Sequence, residues 1–165
     1  MRAATRLWDR PRFAVCGNAG GWPASAEDAL AERSAGSKPR LRGEESDEMR
    51  AWQTVKPGRP MDALRLNEAA ESPVPTPGTV HLEVIAAGIG LPDAFMCQGS
   101  YALTPSTLPF TQGQEVVGRI VGWAEGVENR KVGDRVMAVT SFFTGNGAFA
   151  QECLGLDDFC LPVPE

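Results

Sequence analysis

The chain has 165 residues, the size of one ordinary domain, and 42% of them are hydrophobic against 22% charged, a globular balance. A formal net charge of −5 and the lack of a basic cluster in the second half argue against nucleic acid as a partner. No apolar run reaches the ~18 residues of a membrane helix, and 1 His with 4 Cys, none in a CxxC pair, excludes a multi-histidine metal site and argues against a disulfide framework.

Residues 1–48 balance their basic and acidic side chains and show no sustained apolar period beyond a helical hint at 26–33. Such a segment buries too little apolar surface to offset its ordering entropy, and it reads as a disordered extension. Arg2, Arg6, Arg10 and Arg12 invite a transit-peptide reading, but the acidic residues from Glu27 onward do not suit one. The domain itself is expected over 49–165.

That region opens with two partly alternating runs, 49–55 and 63–69, separated by a turn cluster at 56–60. After Pro73, Pro75, Pro77 and Gly78, residues 79–89 alternate as a half-buried strand, which leaves His81 as a strand surface residue. Residues 92–98 have a helical case, with Pro92 at the start and Asp93 as a first-turn dipole partner. Further strands are expected at 115–123, 136–140 and 147–154. With 18 Gly and 13 Pro to supply turns, six or more short strands point to a barrel or sandwich around one modest core.

Several residues carry a plain structural reading. Gly113 and Gly118 flank Glu115, where a missing Cβ permits a bulge or close backbone approach, and Glu115 reads as a buried, hydrogen-bonded strand carboxylate. Gly133 and Asp134 form a tight turn. Cys153 and Cys160 read as small buried hydrophobes. The stretch 145–150 fits G-x-G-x-x-A, but it opens a strand rather than a helix and is read as a loop-to-strand turn. Asp157 and Asp158 are adjacent, so an extended chain points them to opposite faces, unlike a paired acid/base site.

The order of pieces in 49–165 resembles the N-terminal, GroES-like domain of the medium-chain dehydrogenase/reductase superfamily, nearest to its zinc-independent quinone oxidoreductase branch. The matching pieces are Met49-Arg50-Ala51-Trp52, Pro77-Gly78-Thr79-Val80, Ala86-Ala87-Gly88-Ile89 with Pro92-Asp93, and Gln98-Gly99-Ser100-Tyr101. Leu108-Pro109-Phe110, Gly113-Gln114-Glu115-Val116-Val117-Gly118, Val132-Gly133-Asp134-Arg135-Val136, Gly147-Ala148-Phe149-Ala150-Gln151 and Leu161-Pro162-Val163-Pro164-Glu165 follow. The resemblance implies a mainly β, partly open GroES-like barrel with one or two short helices, lacking the Rossmann domain that binds the nucleotide.

It also implies the chemistry. The zinc branch has a Cys-His pair after the Ala-Gly strand and a Gly-His-Glu further on; here Gly90-Leu91 and Gly113-Gln114-Glu115 stand there, so no zinc is expected. The zinc-independent branch transfers hydride from NADPH to a quinone or activated carbonyl in a cleft between two domains. This chain's cleft-lining candidates are Gly90, Leu91, Phe95 and Tyr101, with Tyr101 and Asp93 as catalytic candidates. Gly90 and Phe95 replace an Asn and a Tyr often found in the family, and Tyr101 also reads as an amphipathic loop anchor. The implied protein is cytoplasmic and works as a homodimer or with a separate Rossmann-domain polypeptide. Without a dinucleotide site this chain is not expected to act alone. A non-enzymatic interaction module and an inactive fragment of such a reductase remain the alternatives.

Overall fold

The computed structural model describes residues 48–164. The extension expected over 1–48 therefore lies outside the described residues, Glu48 apart. In chain order the elements are β1 (Glu48–Thr54), the one-turn helix α1 (Pro60–Ala63), β2 (Leu64–Glu71), β3 (Thr79–Ala87), α2 (Leu91–Gln98), β4 (Phe110–Thr111), β5 (Glu115–Trp123), β6 (Arg135–Thr140), a 3-10 turn (Phe142–Thr144) and β7 (Glu152–Pro162).

The strands divide into two sheets. β1 pairs antiparallel with β2 along most of its length and with β4 at Gln53 and Thr54, giving a three-stranded sheet. β3, β5, β6 and β7 pair antiparallel in sequence around a ring that closes between β7 and β3. The mainly β barrel with short helices expected from the turn-rich composition is therefore present; β1, β2 and β4 stand beside the ring rather than in it.

Inward-facing residues of all four ring strands make the core. Val80, Leu82, Val116, Ile120, Val136, Ala138, Cys153 and Cys160 form one buried cluster. β5 shows the period of two that produces this, burying Val116, Gly118, Ile120 and Gly122 alternately. Full burial of side chains such as Leu82 and Ile120 contributes about 1.5–3 kcal/mol each. Burial also pushes the thiols of Cys153 and Cys160 up, so both behave as neutral apolar groups.

Two expectations need correction. His81 is not a surface residue: it is 2% exposed, and its Nε2 lies 3.0 Å from Glu152 Oε2, which also accepts a hydrogen bond from Ser72 Oγ. β3 is paired on both edges, and at this end Thr79, Val80, His81 and Leu82 are buried on both faces. The last strand is later and longer than 147–154. Residues 147–151 spend their amides elsewhere, on Thr111, Gly113, Gln112 and Arg50 carbonyls, and the ladder to β3 begins only at Glu152 opposite Glu83.

Candidate functional site

The helix α2 and the loop after it are held by local chemistry. Asp93, third in the helix, accepts the Gly90 amide through Oδ2 at 2.7 Å, satisfying one donor of the N-terminal turn. At the other end Gly99 is left-handed (φ 71°), and Ser100 donates its amide back to the Phe95 carbonyl at 3.0 Å. Glycine meets that conformation without steric cost, so the helix stops there. The chain then runs through Tyr101 and a cis Leu108–Pro109 bond into β4.

Asp93 is buried, and burial raises its pKa, with the Glu115 charge adding to the rise and the Gly90 and Gly113 amides partly opposing it. Its Oδ1 is buried without a hydrogen-bond partner. Glu115, expected to be buried, is exposed at the start of β5. Its side chain lies over Gly88, where a Cβ would sit 2.7 Å from Oε2, while its carbonyl accepts the Gly88 amide at 3.0 Å.

Gln114 joins the helix to the loop. Its Oε1 faces the Tyr101 hydroxyl across a long 3.5 Å contact, and its Nε2 points at Met96 Sδ at 3.6 Å. Tyr101 is half-buried and packs at a tilt on Phe142, ring centres 6.3 Å apart. Met96, Phe110 and Phe142 form a small buried cluster beneath it. On the inner side of α2, Thr54 donates to Gln112 Oε1 at 3.3 Å, and Gln112 Nε2 lies 3.3 Å from Cys97 Sγ. A cavity of about 310 Å³ opens in front of this group, between α2, the end of β1 and the loop carrying Tyr101 and Thr104.

The remaining candidates are placed as follows. Gly90 caps the helix and is exposed, with Leu91 and Phe95 also exposed on α2, beside Ile89. Tyr101 lies on the far side of the helix terminus and reaches Gln114. Gly113 packs against Phe149, where a Cβ would come within 2.6 Å of the ring, and Gly118 crosses β3 so closely that a Cβ would lie 2.7 Å from the Glu83 carbonyl. Gly133 and Asp134 turn the chain from β5 to β6, with Gly133 donating to the Ile120 carbonyl and Ile120 to that of Asp134. The structural roles of Gln114, Thr54, Gln112 and Cys97 went unread, because side-chain pairs across 58 or 15 residues leave no local pattern.

The zinc-branch positions do not fit a zinc ion. Gly90 has no ligand atom, Leu91 is apolar, and the Gln114 amide is turned to Tyr101 and Met96. Among the described residues no three His, Cys, Asp or Glu side chains come together as a metal site. Nor does the stretch 145–150 fit a pyrophosphate: the amides of Gly145, Gly147, Ala148 and Phe149 go to Phe142, Thr111, Gly113 and Gln112 carbonyls. A phosphate cradle needs free amides at a helix start.

Residues 76–165 match the alcohol dehydrogenase GroES-like domain. Quinone oxidoreductase of Rattus norvegicus is 33% identical over 117 residues, 71% of this chain and 34% of that protein. A probable oxidoreductase from Mycobacterium abscessus superposes with a TM-score of 0.62 at 32% identity, over 73% of this chain and 36% of the other. A mycobacterial protein solved in complex with NADPH superposes with a TM-score of 0.59 at 27% identity, over 71% and 34%. The chain spans about a third of the length of the curated relatives it matches. With more than half of its residues matched and the same barrel fold, the chain belongs to the alcohol dehydrogenase GroES-like domain family.

Proposed function

We propose that this chain is the substrate-side barrel of a zinc-free, NADPH-dependent reductase that passes hydride to a quinone or activated carbonyl. The observation that carries this reading is the Tyr101–Gln114–Met96 group at the position where the zinc branch places a histidine ligand. The likeness to quinone oxidoreductases and to a protein bound to NADPH supports it. The nicotinamide supplies the hydride when bound. The chain's own residues bind and orient the carbonyl: the Tyr101 hydroxyl, held only by a long contact to Gln114, can turn its proton to the oxygen on which negative charge develops.

In this reading the described residues hold no dinucleotide site, so turnover needs a nucleotide-binding half on the same or a separate polypeptide. Ile89, Leu91 and Phe95, exposed together at the start of α2, offer an apolar edge for that half. The full reductase is read as a cytoplasmic homodimer; among the described residues no helix is long and apolar enough to cross a membrane.

Fusing the chain ahead of the nucleotide-binding half of the rat quinone oxidoreductase tests this directly. The fusion is expected to oxidise NADPH with menadione, unaffected by EDTA, while the chain alone shows no saturable NADPH binding by nicotinamide fluorescence. EDTA-sensitive turnover overturns the zinc-free reading, and tight binding by the chain alone overturns the dependence on a second half.

A further inference from the structure

β5, β6 and the end of β7 turn an apolar stripe outward, where an antiparallel sheet ordinarily meets water with polar side chains. We propose that this stripe docks a second copy of the same chain across a two-fold axis.

The stripe follows from the register. Val117 stands opposite Met137, and Met137 opposite Leu161, so the three side chains form one row across three strands. All three point away from the core, because their chain neighbours Val116, Val136, Ala138 and Cys160 point into it. Met137 is 50% exposed, Leu161 57%, and Phe159, two residues before Leu161, 60%. The outer surface is not apolar all round: toward β3, Glu83 stands opposite both Arg119 and Glu152. An apolar patch with a charged border marks an interaction site. It shares no residue with the α2 edge of Ile89, Leu91 and Phe95.

The charges choose the occupant. On β5, Glu115 and Arg119 lie two residues to either side of Val117 and share its outward face. Arg135 stands opposite Arg119. Like charges placed opposite each other repel, and Arg135 Nε is buried without a hydrogen-bond partner. A two-fold axis along the Val117–Met137–Leu161 row, in the plane between two such sheets, reverses the strands. It lays each residue of the row on its own copy and brings Arg119 and Arg135 of one copy over Glu115 of the other, twice. The patch is thus complementary to itself, as an isologous interface requires. Sheets packed face to face lie about 10 Å apart, a gap that arginine side chains reach into. Three strands over the length from Glu115 to Arg119 cover roughly 200 Å² per copy at standard strand spacing and rise, against about 800 Å² in an ordinary interface. The dimer is therefore weak.

The test uses the full chain in light scattering and sedimentation. The mean mass is expected to rise toward that of a dimer between about 10 µM and about 1 mM, the range of a small interface. Amide and methionine-methyl NMR shifts that change with concentration are expected at Val117, Met137, Phe159 and Leu161. Leu161→Asp, an exposed substitution, is expected to weaken association at least tenfold while leaving the rest of the amide spectrum in place. Glu115→Arg is expected to weaken it about fivefold, and combining it with Arg135→Glu to restore it to within about twofold of the parent. A chain that stays monomeric at about 1 mM would leave the face to residues 1–47 or to a different protein and overturn the proposal. Shifts centred on Ile89 and Leu91, a dimer indifferent to Leu161→Asp, or a charge reversal that the second reversal fails to rescue would overturn it equally. None of these readouts involves NADPH, so this surface and the reductase reading fail separately.

Discussion

His81 Nε2 sits 3.0 Å from Glu152 Oε2 at the point where β3 and β7 meet, and Ser72, just beyond β2, donates to the same oxygen. One oxygen of the half-buried Glu152 carboxylate thus links the barrel to the chain leaving the three-stranded sheet. A second link runs through the backbone, where Trp52 donates to the Phe149 carbonyl and Gln151 to that of Arg50. His81→Ala removes a nearly fully buried ring and the donor to Glu152, and is expected to cost about 2–3 kcal/mol in urea unfolding. His81→Gln, which keeps a donor in reach, is expected to lose about half as much. A change below about 0.5 kcal/mol in His81→Ala, the scale of a surface substitution, would return His81 to the surface role its alternating pattern suggested.

Gly147 shows where the barrel and the sheet are packed backbone to backbone. A Cβ there would lie 2.4 Å from the Gln112 carbonyl carbon, and backbone atoms cannot step aside as a side-chain tip can. Gly147→Ala is expected to cost about 3 kcal/mol or more, at the upper end of overpacking. Gly126 has open space around its Cβ position and a φ of 89°, so Gly126→Ala meets only the strain of a left-handed alanine, about 1 kcal/mol. Parallel thermal melts of the two variants check the order; equal losses would mean that conformational strain, rather than contact, sets both.

Asp93 imposes a pH dependence whose sign follows from its surroundings. Burial disfavours its charged form, so its folded pKa lies above the unfolded one. Its favourable contribution is complete below the ordinary carboxylate value, about pH 4. It fades as pH rises through the raised value, because the folded state must then hold a buried charge. Asp93→Asn keeps an acceptor for the Gly90 amide and removes that charge. Its stability is expected to fall less than the parent's between acid and neutral pH, as read from urea midpoints at several pH values. A parent midpoint that rises across this interval more steeply than the variant's would reverse the assignment.

Much of the fold was legible because period-two patterning and turn residues act locally. β1, β2, β5 and β6 sit within a residue or two of their expected bounds, and β5 and β6 alternate throughout between covered and less covered faces. β7 was missed in part because Gly155 and the Asp157-Asp158 pair interrupt its apolar rhythm, although Gly155 is needed there: a Cβ would press to 2.9 Å from Leu82. β3 misled in the other direction. Its alternation was real, with Val80 and Leu82 turned into the core, but the opposite face that carries His81 is covered as well, where Glu152 and Ser72 meet it, and such a cover is not written in the pattern of any one strand. The candidate site was legible only as positions. That Gln114 turns to Tyr101 and Met96, and that Cys97, Thr54 and Gln112 line up behind a cavity, depends on contacts between segments far apart in sequence.

Gln114 allows the metal question to be put to the protein itself. The zinc branch of the resembling family has histidine at this position, and Gln114→His restores one imidazole beside Glu115. A single imidazole and one exposed carboxylate leave a zinc ion two protein ligands short of its usual four, still one short with a water bound, and Gly90 and Leu91 supply none. The variant is expected to carry less than stoichiometric zinc after dialysis against micromolar metal, measured by elemental analysis. Adding Gly90→Cys supplies a thiolate on the helix cap and is expected to raise occupancy clearly above that of either single variant. Stoichiometric zinc in Gln114→His alone would mean that this edge of the barrel still holds a ligand set that the geometry of Gly90, Leu91 and Gln114 does not provide.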